Sequence, residues 1–228
     1  MKISAISDLH LEFIKNNLWE QYKKKVDVKE LAKRFSATFN ALDFKENFDF
    51  GVIAGDTTHC MEDEIEFYTY INELVKKPFF IVMGNHNWNW DSSFKSNTHT
   101  FQGLTWEEQE NILEKNIVPL KNIYFLKAGK VEYFNNLKII GDCGFAAYSD
   151  FNASRGIYRQ IINVWKEKEL TERWRKEYKK HIENFISGDK LLVITHTPIE
   201  DWGENIHPDV YYISGHIHAD SDLWENLL

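Results

Sequence analysis

Five short apolar runs in this chain each stop abruptly at residues able to bind a metal ion, and no other feature constrains the fold as much. Residues 2–7 lead to Asp8 and His10, and residues 48–54 to Gly55 and Asp56. Residues 79–83 lead to Gly84, Asn85 and His86. Residues 191–194 lead to Thr195 and His196, and residues 210–214 to Gly215, His216 and His218. Runs of this length, rich in Val, Ile, Phe and Tyr, predict buried strands. Between them lie helical stretches. Leu31, Phe35, Phe39 and Leu42 form one apolar stripe within residues 28–44, and Ile65, Tyr68, Ile71 and Val75 another within 62–76. Residues 106–115 predict a shorter helix and 157–186 a long, heavily charged one. Strands alternating with helices predict βαβ units and a largely parallel sheet covered by helices.

Residues 124–141 read differently. Three apolar segments there are separated by Ala128-Gly129 and Asn135-Asn136, both hairpin signals, which predict a second and more antiparallel layer. The expected fold class is therefore α/β: a two-sheet sandwich of mixed, largely parallel strands flanked by helices. With 4 prolines and 11 glycines scattered along 228 residues, no linker stands out, so residues 1–228 read as one domain.

Composition narrows the function. Hydrophobic residues at 43% suffice for a core and exclude a wholly disordered chain. A formal net charge of −8 argues against long nucleic acid as partner, though not against a small phosphate substrate. Cys60 and Cys143 stand too far apart for a thiolate zinc knuckle, and no disulfide framework is available. No apolar run reaches membrane-spanning length, and Asp8 and His10 interrupt the N-terminal run too early for a signal peptide. The expectation is a reduced, cytoplasmic protein with no membrane partner.

In an open α/β sheet, ligands collect at the carboxyl ends of strands. The strand ends here supply two carboxylates, one amide and five imidazoles. Oxygen and imidazole donors without thiolate suit Mn, Fe, Zn or Ni better than calcium or a structural zinc. In Asp8-Leu9-His10 and His216-Ile217-His218, alternate residues of an extended segment point the same way, so both members can reach one site. Two cations about 3.5–4 Å apart would clamp a phosphate and activate water for in-line attack.

Asp8-x-His10, Gly55-Asp56, Gly84-Asn85-His86, His196 and Gly215-His216-x-His218, in that order, resemble the signature of the calcineurin-like metallophosphoesterase superfamily. The resemblance spans residues 1–218. It implies two divalent metal ions, Mn or Fe before Zn or Ni. Asp8, His10 and His218 would hold one, Asn85, His196 and His216 the other, and Asp56 would bridge both. It also implies that a metal-bridging hydroxide attacks the phosphoester, while the catalytic His86 helps hold the phosphate and protonates the leaving group. A small phosphoester is the expected substrate, with diesters favoured over monoesters. The alternatives are a nuclease acting on short or single-stranded nucleic acid, and a metal-binding interaction scaffold without turnover.

Each motif also has a plainer reading. Asp8 could cap the following segment, Asp56 could cap a helix with Thr57 and Thr58, and Asn85 could be an ordinary turn residue. His59 falls in a Gly-Asp-x-x-His pattern, where it either orients the ligands or sits solvated at a helix start. His99, His181 and His207 read as lying outside the site. One of Trp88 and Trp90 would pack against the sheet, leaving the other to stack on a base or an aromatic leaving group. Phe145, Tyr148, Phe151, Arg155 and Arg159 would wall the pocket. The mixed charges of residues 166–180 read as a solvated helix face.

The chain departs from the superfamily pattern in two places. Thr57-Thr58-His59-Cys60 replaces the Asp-Arg-Gly that follows Gly-Asp in phosphoprotein phosphatases, and Asn87 replaces their glutamate, which excludes that branch. Only ten residues follow His218, and residues 222–226 look like a closing strand cut short. A second copy of the chain could cover the sheet edge left there.

Overall fold

The computed structural model describes residues 1–87, 104–145, 164–186 and 188–216. The apolar runs are strands, arranged in two sheets. In the first, β1 (Ile3–Ile6), β2 (Phe50–Ala54), β3 (Phe79–Val82) and β4 (Ile123–Phe125) are parallel in that order. The second runs β5 (Val131–Phe134), β6 (Leu137–Asp142), β7 (Leu191–Thr195) and β8 (Tyr211–Ser214). There β5 and β6 form an antiparallel hairpin, while β6–β7 and β7–β8 are parallel.

Side-chain alternation along each strand sorts the core into layers. Phe50, Val52 and Ala54 of β2, with Phe80 and Val82 of β3, meet Leu137, Ile139, Leu192 and Ile194 of the other sheet. Their neighbours Ile53, Phe79 and Ile81 point the other way. They join the side chains of α1 (Leu11–Tyr22), α2 (Val28–Glu46), α3 (Met61–Leu74) and α4 (Trp106–Ile117). On the far face of the second sheet, Ile140, Leu191 and Val193 pack with Trp174 and Tyr178 of α5 (Val164–Glu183). The order is helices, sheet, sheet, helix. Each large apolar side chain buried this way contributes about 1.5–3 kcal/mol of transfer free energy.

Local chemistry fixes where helices begin. Asp27 accepts the Glu30 N–H at 2.8 Å to start α2, and Thr105 with Glu108 forms a capping box at the start of α4. Along α5 many of the mixed charges are solvent-exposed, and several are also paired. Lys166 reaches Glu107, Arg173 reaches Glu110, and Arg175 reaches Glu204. These pairs tie the helix to α4 and to the segment before β8.

The structure corrects three expectations. Ala128-Gly129 is not a hairpin; it carries the chain from β4 in one sheet to β5 in the other, so only Asn135-Asn136 joins antiparallel neighbours. The second layer is therefore mostly parallel. Residues 11–22 form a helix that no apolar stripe announces. Phe145 does not wall a pocket: it is 2% exposed and packs edge-on against Trp106, with ring centroids 4.5 Å apart. The rest of that expected wall, the Trp88–Trp90 pair, His99 and the abbreviated closing strand lie outside the described residues. No helix among the described residues is long and apolar enough to cross a membrane.

Candidate metal centre

The carboxyl ends of β1, β2, β3, β7 and β8 converge where the two sheets meet. Backbone hydrogen bonds join the loops: Asp8 N–H to Gly55 O at 3.1 Å, His10 N–H to Asp56 O at 3.0 Å, and Gly215 N–H to His196 O at 2.9 Å. Side chains bridge the sheets. Asp8 Oδ2 accepts the His216 N–H at 3.0 Å, and His196 Nδ1 lies 2.9 Å from Ala54 O.

Two glycines permit this close approach. A Cβ on Gly84 would lie 2.0 Å from Asp56 Oδ1, and one on Gly55, whose φ is +83°, would lie 2.6 Å from His196 Nδ1. The candidate ligands themselves occupy left-handed backbone: φ is 55° at Asp8, 44° at His10, 49° at Asp56 and 68° at His216. For residues other than glycine such conformations persist only where the surroundings enforce them.

Asp56 is the hub. It is 1% exposed, and its Oδ1 accepts the His86 N–H at 2.9 Å. Its Oδ2 lies 3.2 Å from His196 Nε2 and 3.9 Å from both His10 Nε2 and His86 Nε2. Asp8, Asp56 and His196 offer donor atoms within 4.8 Å of one another, and so do His10, Asp56 and His86. Asp56 belongs to both groups. Asn85 Oδ1 sits 2.7 Å from His196 Nε2 and 3.2 Å from His216 Nδ1. His218 lies outside the described residues. Asp8 thus stands beside His196 as well as His10, and His86 beside His10, a less clean partition than the resemblance implies.

These residues fit a cation. Ala54 O can only accept, so His196 Nδ1 carries the proton, and in the neutral ring Nε2 presents a lone pair. That lone pair faces two acceptors, Asp56 Oδ2 at 3.2 Å and Asn85 Oδ1 at 2.7 Å. Acceptors aimed at one another repel unless a positive charge lies among them. Donors bound to one ion at about 2.1 Å stand roughly 3–4 Å apart, the spacing found here. Among the described residues, the buried His216 Nε2 makes no hydrogen bond.

Electrostatics without an ion agree. Burial works against the charged form of His196, but the Asp56 carboxylate outweighs it and raises the ring to about 9. His216 is pushed down to about 4 by burial and then by the His196 charge. Burial also lowers His86 to about 4, helped by His10, His59 and His196 against the pull of Asp56. Burial opposes ionisation of Asp56 too, yet the surrounding imidazoles hold its carboxyl far below the usual range.

The N-cap residue of α3 is Cys60 and that of α1 is His10, so neither Asp56 nor Asp8 holds the cap position of the helix that follows it. His59 joins the cluster, stacked on His86 with centroids 5.1 Å apart and Nδ1 atoms 3.3 Å apart. His207 lies edge-on to Phe185, and His181 sits on α5.

Sequence reasoning missed Glu12. Its Oε1 lies 3.3 Å from His10 Nδ1 and 2.9 Å from His59 Nε2, and despite burial these rings draw its carboxyl down to about 2. Its position two residues beyond His10 was the only signal. Glu64 was also missed, and Asn87 stood only as a departure from a pattern.

A family model described as calcineurin-like phosphoesterase matches residues 1–220. No curated protein matches the chain.

Proposed function

The chain belongs to the calcineurin-like phosphoesterase family, and from that premise we propose that it hydrolyses a small phosphodiester with two divalent ions, manganese or iron before zinc or nickel. Asp8, His10 and His218 would hold one ion, Asn85, His196 and His216 the other, and Asp56 both. When bound, the ions supply Lewis-acid charge to the phosphate and lower the pKa of water into the physiological range.

The chain's own residues do the rest. Asp56, fixed by the His86 N–H and surrounded by imidazoles, sets the spacing of the site. The His196 Nδ1–H to Ala54 hydrogen bond locks the tautomer that leaves Nε2 free to ligate. Glu12 orients the His10 and His59 rings. His86, partly exposed with 22% of its side chain accessible, stands at the open side of the cluster. From there its imidazole can hold a phosphate oxygen and pass a proton to the leaving group. A bound phosphate's negative charge would oppose the burial that disfavours a proton on His86.

The observation that carries this reading is Asp56 Oδ2 within 4 Å of imidazoles on three different loops. Free Cys60 and Cys143 accord with a reducing compartment such as the cytoplasm. The test is metal content after purification, followed by hydrolysis of bis-p-nitrophenyl phosphate and p-nitrophenyl phosphate with added manganese. Faster turnover of the diester is expected. Full metal occupancy without turnover of either ester would instead identify a binding scaffold.

A further inference from the structure

Helix α3 carries an acid where a packing residue would be expected. Glu64 is fully buried in a helix face that also presents Phe67, Tyr68 and Ile71 to the core. A carboxyl group there is costly unless its hydrogen bonds are used.

One carboxyl oxygen is used, and the face of α3 that carries it leads to the metal centre in two directions. Glu64 Oε2 accepts a hydrogen bond from the Asn87 side-chain amide. Asn87 Oδ1 in turn accepts the Gly84 N–H at 2.7 Å, and Gly84 immediately precedes Asn85. On the other side, Tyr68 lies one helical turn from Glu64 on the same buried face of α3. The Tyr68 hydroxyl meets Thr57 Oγ1 at 2.7 Å, and Thr57 immediately follows Asp56. Thr57, Tyr68 and Glu64 are 0% exposed and Asn87 is 2% exposed. A continuous buried strut thus runs from the turn carrying Asp56, through one face of α3, to the turn carrying Asn85 and His86. Neither end touches a candidate ligand side chain, so the strut acts on the backbone that presents them.

We infer that Glu64 and Asn87 are positioning residues for the metal centre, joining the β2 and β3 loops so that Asp56 and Asn85 stand at the separation one ion requires. The inference rests on the dinuclear reading above. A side chain that only filled space would be replaced by Met or Leu at little cost to ion binding. A strut that sets ligand spacing would not, because supporting residues of this kind change metal affinity by about 10–100-fold.

The experiment is manganese titration by calorimetry of the wild-type protein and of Glu64→Gln, Glu64→Met, Asn87→Ala and the Met/Ala double variant. Circular dichroism in chelator verifies each fold. Glu64→Gln retains an acceptor for Asn87, so it should keep wild-type affinity. Folded Glu64→Met and Asn87→Ala should each weaken manganese binding by about 10–100-fold, with the substrate KM at saturating manganese unchanged. Because the two residues act as one unit, the double variant should lose no more than the worse single. Should Glu64→Met not fold, Asn87→Ala against Glu64→Gln makes the same comparison. Wild-type affinity in Asn87→Ala, or independent losses that multiply in the double variant, would overturn the inference. A wild-type protein that binds no manganese sinks the dinuclear reading as well, whereas unaffected variants beside a wild-type protein that binds sink this inference alone.

Discussion

On the proposed reading Asp56 and His86 divide the work of the site, and their substitutions should separate cleanly. Asp56→Ala removes the carboxylate around which both donor groups are arranged, so metal content by mass spectrometry and diesterase activity should both fall to background. His86→Ala should keep its metal and lose about 10²–10⁴-fold in rate, most severely with poor leaving groups. Loss of metal in His86→Ala with retention in His216→Ala would reverse the assigned roles. Glu64 offers a pH test in the ion-free protein. Burial raises its carboxyl from about 4.5 to about 8, with the Asp56 charge adding to the shift. The folded state then holds a proton that the unfolded chain releases above about pH 4.5. This contribution to stability is complete below that value and is lost as pH rises through about 8, roughly 2–5 kcal/mol in all. In chelator, the fall in Tm between pH 5 and 8.5 should be visibly shallower in Glu64→Gln than in the wild-type protein. At this scale the candidate ligands were legible because each sits in a short motif at a strand end. Glu12 and Glu64 were not, because glutamate on a helix is ordinary and only the folded neighbours reveal its use.

The loops deliver these side chains only because of how the strands end. Gly84 is the most stringent case, since the hydrogen it has in place of a side chain faces Asp56 Oδ1 and N. Gly84→Ala should cost about 1–3 kcal/mol in urea denaturation and weaken manganese binding as well, because the displaced group is the shared carboxylate. A Gly84→Ala protein with unchanged stability and affinity would mean that the two loops are not in contact. The strands were legible from their length and β-branched content. Helix α1 was not: Phe13, Trp19 and Tyr22 remain 38%, 46% and 68% exposed, so apolar residues fall on every side and blur the stripe formed by Leu11 and Leu18. Ala128-Gly129 misled for a related reason. A tight turn looks the same in sequence whether it returns a strand to its neighbour or hands the chain to the opposite sheet.

The whole molecule brings five loops, distant in sequence, to one seam between two sheets, so stability and ion binding are linked. Ions that bind the folded state alone stabilise it by about 2.7 kcal/mol at one hundred times their Kd. For a chain of 228 residues that corresponds to roughly 5–11 °C in Tm. Chelator should lower the wild-type Tm by about that amount and leave Asp56→Ala unmoved; equal shifts in both would place the relevant ion elsewhere. The layered α/β architecture was legible because alternating runs of strand and helix admit few solutions. The balance of parallel and antiparallel pairs was not, since it depends on which sheet each connection enters.

Asp8, His10, Asp56 and His216 all adopt backbone angles that glycine tolerates more readily. Each such residue strains the chain by about 1–3 kcal/mol. Four such positions within one site therefore limit how far the fold could be made sturdier without moving a candidate ligand.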